Sequence, residues 1–160
     1  MTSSTARPDS ANIRFPPPVV YAAAILGGYL LELRSPWPIL HSPGALREGI
    51  ALAIAATGLA MMFAAVLRFR RHRTPVVPIF PATVLATDGP YRISRNPMYL
   101  GVMLFSLAVA FGMNSGWMLL LLVPALAVMN FFVIAREERY LERAFGEAYR
   151  GYKRRTRRWI

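Results

Sequence analysis

Residues 96–135 read NPMYLGVMLFSLAVAFGMNSGWMLLLLVPALAVMNFFVIA, 40 positions without a charged side chain between Arg95 and Arg136. An α-helix rises about 1.5 Å per residue and a bilayer core is about 30 Å thick, so ~20 apolar residues cross it once. The run therefore suits two crossings with a tight turn between them. Asn114-Ser115-Gly116, near its middle, has turn chemistry. Working outward, Phe15–Leu31 and Gly49–Leu67 are two further charge-free runs. The pattern predicts an all-α integral membrane protein with four transmembrane helices, about 17–33, 47–69, 97–113 and 117–136, the last two forming a hairpin. A C-terminal cytoplasmic amphipathic helix follows from Arg136.

Composition leads to the same class. With 160 residues the chain makes a single domain. The 55% hydrophobic content, 17% charged content and mean hydropathy of +0.36 exclude a disordered chain and disfavour a soluble enzyme. There is no cysteine, hence no disulfide, thiolate metal site or cysteine nucleophile, and His41 and His72 offer little for a metal cluster. Pro16–Pro18 open the first apolar run and no small-residue cleavage site closes it, so it is expected to persist as a span rather than a cleaved leader.

Nineteen Lys and Arg against eight Asp and Glu give a net charge of +11, and their placement sets the orientation. Arg7 and Arg14 lie in the N-tail, 1–15; Arg34 and Arg47 lie between the first two spans. Six arginines lie in the link between spans two and three, and nine basic residues follow the fourth span. Four spans place both tails and the long link on one face, which the positive-inside rule makes cytoplasmic (the inner membrane, in a bacterium). The charge is thereby explained by anionic membrane lipid, without nucleic acid. Ala23/Gly27, Ala24/Gly28 and Ala56/Ala60/Ala64 are small residues four apart, suited to close helix packing in lipid. Pro124 is expected to kink the fourth span.

The cores of the spans carry no Asp, Glu, Lys, Arg or His, which argues against a proton-coupled transporter. Polar chemistry must gather at the cytoplasmic face, where two segments are candidates. The proline-rich link, 74–97, cannot be one regular helix. It ends in an Asp88-Gly89-Pro90 turn, with Asn96 at an N-cap and Pro97 at the first helical position. Tyr91, Tyr99, Arg92 and Arg95 surround that start. The second segment, 136–160, opens with Glu137 and Glu138. Leu141, Phe145, Ala148 and Tyr152 then form an apolar stripe. Adjacent helix positions diverge by about 100°, so one glutamate is expected to face inward and the other to be solvated or paired with arginine.

Taken together, Gly89-Pro90-Tyr91-Arg92, Arg95-Asn96-Pro97-Met98-Tyr99-Leu100-Gly101 and the later Glu137, Glu138, Leu141, Phe145-Gly146, Tyr149 and Tyr152 resemble the isoprenylcysteine carboxyl methyltransferase family, in its bacterial form. That family belongs with the related phospholipid N-methyltransferases. Position 96 is Asn where many eukaryotic members carry His. The resemblance implies a multi-pass methyltransferase using S-adenosyl-L-methionine at the cytoplasmic face, with a lipid-side route for an apolar acceptor. The acceptor classes are an isoprenylcysteine-like carboxylate, a lipid amine or a thiol. Cofactor contacts implied by the resemblance fall on Thr83, Val84, Leu85, Ala86, Tyr91, Asn96, Pro97, Met98, Tyr99 and one or both of Glu137 and Glu138; no metal is implied. The competing reading from another class is a non-catalytic four-helix membrane scaffold that binds anionic lipid or a partner protein.

Overall fold

The computed structural model describes residues 16–41, 44–71 and 84–160, and among them every regular element is helical. Four long helices form the body: α1 (Pro17–Arg34), α2 (Gly44–Arg71), α3 (Pro97–Gly112) and α4 (Gly116–Val128). A π-helical turn, Met129–Ile134, joins α4 to α5 (Ala135–Phe145), and α6 (Glu147–Arg155) closes the chain. A short 3-10 turn, Gly89–Arg92, precedes α3.

Small residues decide which faces meet. A Cβ placed on Gly28 would lie 2.6 Å from the Cα of Met118, so α1 and α4 touch backbone to backbone there. One placed on Gly58 would lie 2.8 Å from the carbonyl oxygen of Gly101, which joins α2 to α3. The inward face of α2 is Ala51, Gly58 and Ala65, spaced by seven. Ala56 and Ala60, expected at an interface, are exposed instead. Four-residue spacing alone left several faces of α2 eligible; the antiparallel partner α3 selects the one whose small residues oppose its own Gly101 and Gly112. On α1 the chosen pair is Ala24 and Gly28, both buried.

Large apolar side chains point the other way. Leu26, Leu30 and Leu33 on α1, Leu52 and Phe63 on α2, and Val123, Phe131 and Phe132 beyond Gly116 are all exposed. Small residues at the helix contacts and many large apolar ones outside suit lipid, where packing rather than water exclusion holds helices together.

Two helices are long and apolar enough to cross a membrane: Gly44–Arg70, and the continuous Gly116–Phe145. This is fewer than the four expected. α3 has only 16 residues, about 24 Å at helical rise against a core of about 30 Å. α1 carries Glu32 and Arg34 in its last turn.

Two further expectations change. The fourth span and the C-terminal helix are not separate, because the π turn carries the chain on without a break. The break comes later, at Gly146, whose φ of 52° and ψ of −124° suit glycine. That break shifts the helical phase, so Ala148, expected on the apolar stripe, is exposed, while Tyr149 is buried beside Tyr152.

The hairpin turn forms as its residues dictate. Asn114 takes φ 55°, which asparagine tolerates, and Ser115 caps α4 by accepting from the Met118 amide at 3.3 Å. The turn is locked to the end of α1 and to the connection after it: the Ser115 hydroxyl donates to Glu32 at 2.6 Å, and Trp117 stacks edge-on against Trp37. This end of the bundle is the one remote from the basic segments.

Candidate active site

At the opposite end the chain converges from four directions. Arg68, in the last turn of α2, pairs with Asp88 at 2.9 Å and anchors the turn before α3. Gly89 must be glycine: its φ is 59°, and a Cβ there would lie 2.6 Å from the Arg68 Nε. Tyr91 is thereby directed into an aromatic cluster with Ala65, Ala86, Tyr149 and Tyr152, flanked by Phe69 and Met98. Tyr152 donates its hydroxyl to the Tyr91 carbonyl at 2.6 Å, which ties α6 to the 3-10 turn.

Burial pushes the phenols of Tyr91, Tyr149 and Tyr152 well above the ordinary tyrosine range. At Tyr91 the Glu137 carboxylate adds to that effect; at Tyr149 and Tyr152 the Arg95 guanidinium opposes it. The three therefore remain protonated hydrogen-bond donors at any working pH.

The glutamates have different partners. Glu137 accepts a hydrogen bond from the Tyr99 hydroxyl at 2.8 Å. Glu138, 8% exposed, is held between two arginines: Arg95 Nη2 at 3.1 Å and Arg158 Nε at 3.1 Å. Both residues thus turn into the protein, where one was expected. Glu137 faces α3 and Glu138 the C-terminal tail, and these two neighbours lie about a helical step apart. The bond to Glu138 also holds the Arg158 guanidinium above its ordinary pKa.

Asn96 stands at the N-cap position but makes no side-chain cap. Its amide instead donates to the Arg158 carbonyl at 2.9 Å, joined by the Ser94 hydroxyl at 3.2 Å. The Arg95 amide donates to the Arg157 carbonyl at 3.0 Å, so residues after α6 run along the entrance to α3. Asn130, from the π turn, accepts from Arg158 Nη1 at 3.0 Å. Widened helical turns of this kind frequently occur at functional sites.

Of the residues expected at a cofactor site, Ala86, Tyr91 and Met98 share the aromatic cluster with Leu85. Asn96, Pro97, Tyr99, Glu137 and Glu138 adjoin at the start of α3. Val84 is exposed, and Thr83 lies outside the described residues with the link's 74–82. Sequence reasoning placed Arg95 in the motif without giving it a contact, and missed Arg158 and Asn130. Among nine basic residues after the fourth span no local signal separates Arg158 from its neighbours; only the fold brings it to Glu138. Arg95 also keeps Nε and Nη1 buried with no partner among the described residues. An unpaired buried donor costs free energy, and a ligand is the simplest acceptor for it.

The phospholipid methyltransferase family model matches residues 46–148, from α2 through the start of α6. The chain belongs to the phospholipid methyltransferase family. The match takes in the first motif block, the second as far as Gly146, and the elements that carry Arg95, Tyr99, Glu137 and Glu138, and it assigns a membrane methyltransferase activity in general terms. It leaves out α1 and the tail that supplies Arg158. An uncharacterized protein of Haemophilus influenzae is 43% identical over 63 residues, which is 39% of this chain and 100% of that relative. No solved structure matches the chain.

Proposed function

We propose that this family member is an integral membrane S-adenosyl-L-methionine-dependent methyltransferase with four spans and cytoplasmic termini. It acts at the cytoplasmic face on a lipophilic acceptor: an isoprenylcysteine-like carboxylate, a lipid amine or a thiol. The observation that carries this is the junction of α3 with α5, where Tyr99 meets Glu137 and a partly unpaired Arg95 meets Glu138. Four spans are supported by the side-by-side pairing of α1 with α4 and α2 with α3, which sets the shorter helices in one layer with the longer ones.

The donor set fits the cofactor. The orphaned Nε and Nη1 of Arg95 suit a carboxylate. Tyr99 occupies one oxygen of Glu137, leaving the other for hydroxyl or ammonium donors. The Tyr91 and Tyr99 rings offer aromatic faces to a cation. When bound, S-adenosyl-L-methionine supplies an electrophilic methyl group on a sulfonium. The chain's residues orient the ligands: Glu138, fixed by two arginines, keeps α5 in register against α3, and Tyr99 sets the rotamer of Glu137. Positioning of donor and acceptor and exclusion of water are the main contributions such a displacement asks of a protein.

Calorimetry of detergent-purified protein with S-adenosylhomocysteine tests this. Wild type is expected to bind, and Tyr99→Ala to bind at least about tenfold more weakly, the loss of one charge-assisted hydrogen bond. No binding by wild type at millimolar ligand, or an unchanged Tyr99→Ala, refutes it.

A further inference from the structure

We propose that Tyr21 of α1 is an acceptor-binding residue: its hydroxyl donates a hydrogen bond to an oxygen in the polar head of the lipophilic substrate. This rests on the methyltransferase reading and extends it to a helix outside the family match.

Tyr21 is 2% exposed, yet its hydroxyl has no hydrogen-bond partner among the described residues. A buried hydroxyl without a partner loses its water and gains nothing, whereas phenylalanine would make the same apolar contacts without that cost. Folding therefore gives no reason for the oxygen. Its position gives one. Tyr21 belongs to the cluster that contains Met129 and Val133 of the π turn, and Tyr99 packs against that cluster. Tyr99, which packs against the same cluster, is bonded to Glu137. The unused donor thus belongs to the apolar cluster that adjoins the α3–α5 junction through Tyr99.

Tyr21 is the fifth residue of α1, roughly 6 Å below its start, a depth at which lipid head groups give way to chains. The chemistry that would use it is an apolar chain ending in a group with a hydrogen-bond-accepting oxygen: a carboxylate, phosphate or ester carbonyl. The apolar walls take the chain, Tyr21 takes the oxygen, and the reacting atom is left toward Tyr99 and Glu137. A purely polar acceptor would find no use for α1.

The test compares full-length wild type with Tyr21→Phe in three measurements: thermal unfolding in detergent, S-adenosylhomocysteine calorimetry, and transfer of labelled methyl from S-adenosyl-L-methionine to total membrane lipid extract. Separate arms use phosphatidylethanolamine vesicles and N-acetyl-S-farnesylcysteine, which separate a phosphate or ester oxygen from a carboxylate. Tyr21→Phe is expected to unfold at or above the wild-type temperature and to bind S-adenosylhomocysteine equally. Its KM for the acceptor should rise about tenfold, the worth of one hydrogen bond to a charged group. Equal labelling by both proteins overturns the inference while leaving the methyltransferase reading intact. A lower unfolding temperature overturns it too, because the hydroxyl would then have a partner in the fold. If wild type neither binds S-adenosylhomocysteine nor labels the extract, the methyltransferase reading fails and this inference fails with it.

Discussion

Glu137 and Glu138 are neighbours with opposite duties. Glu138 is enclosed by Arg95 and Arg158 and buried, so its charge is balanced within the fold. Glu137 is bonded to one tyrosine and retains capacity for a ligand. Removing one member of a buried ion pair leaves the other charge uncompensated, at a cost of about 3–5 kcal/mol. Glu138→Ala is therefore expected to lower unfolding free energy by that order, with Arg158→Ala lowering it less because Arg158 is more exposed. In denaturant unfolding, the double variant should be more stable than the sum of the single losses implies. Additivity within about 0.5 kcal/mol would show that the pair is not coupled. The sequence identified both glutamates from their motif. It did not divide their roles, because that depends on a tail twenty residues further along the chain reaching back.

Among the elements, α2 shows how close packing selects one face of an apolar helix. Gly58 lies against the backbone of Gly101 and Phe105, neither of which can move aside as a side chain could. Gly58→Leu is expected to destabilise the bundle by about 1–3 kcal/mol or more. Ala56→Leu, on the exposed face, should leave thermal unfolding in detergent unchanged, and an equal loss in both would contradict this face assignment. The bounds of α1 and α3, the hairpin and the proline-led start of α3 follow closely from local chemistry. The π turn and the break at Gly146 do not. The first adds a residue per turn without any proline or glycine to mark it, and the second rephases α6 so that Tyr149 replaces Ala148 in the interior.

Taken whole, the molecule concentrates titratable tyrosines at its basic end. Their folded pKa values are raised by burial, so the folded state holds protons that the unfolded state releases above about pH 10. The stability this contributes is fully present below that pH and is lost as pH rises beyond it. Alkaline titration should thus show tyrosinate absorbance appearing together with loss of helicity; tyrosinate appearing while helicity persists would mean the cluster is open to solvent. Orientation can be read directly because the chain has no cysteine. A membrane-impermeant maleimide is expected to label His41→Cys in intact cells and Arg157→Cys only after lysis, both positions being exposed. The reverse pattern would invert the proposed topology.

Local chemistry by itself determined the helical class, the hairpin, the basic end and the family, since charge-free runs, prolines and turn residues act over a few positions. The tertiary structure alone decided which small residues meet, that both glutamates turn inward, that Arg158 reaches Glu138 and Asn130, and that the Tyr21 hydroxyl is buried without a partner among the described residues. Those outcomes depend on contacts between segments far apart in the chain, and in an apolar helix bundle the packing of backbones, not periodicity of hydrophobicity, chooses among otherwise equivalent faces.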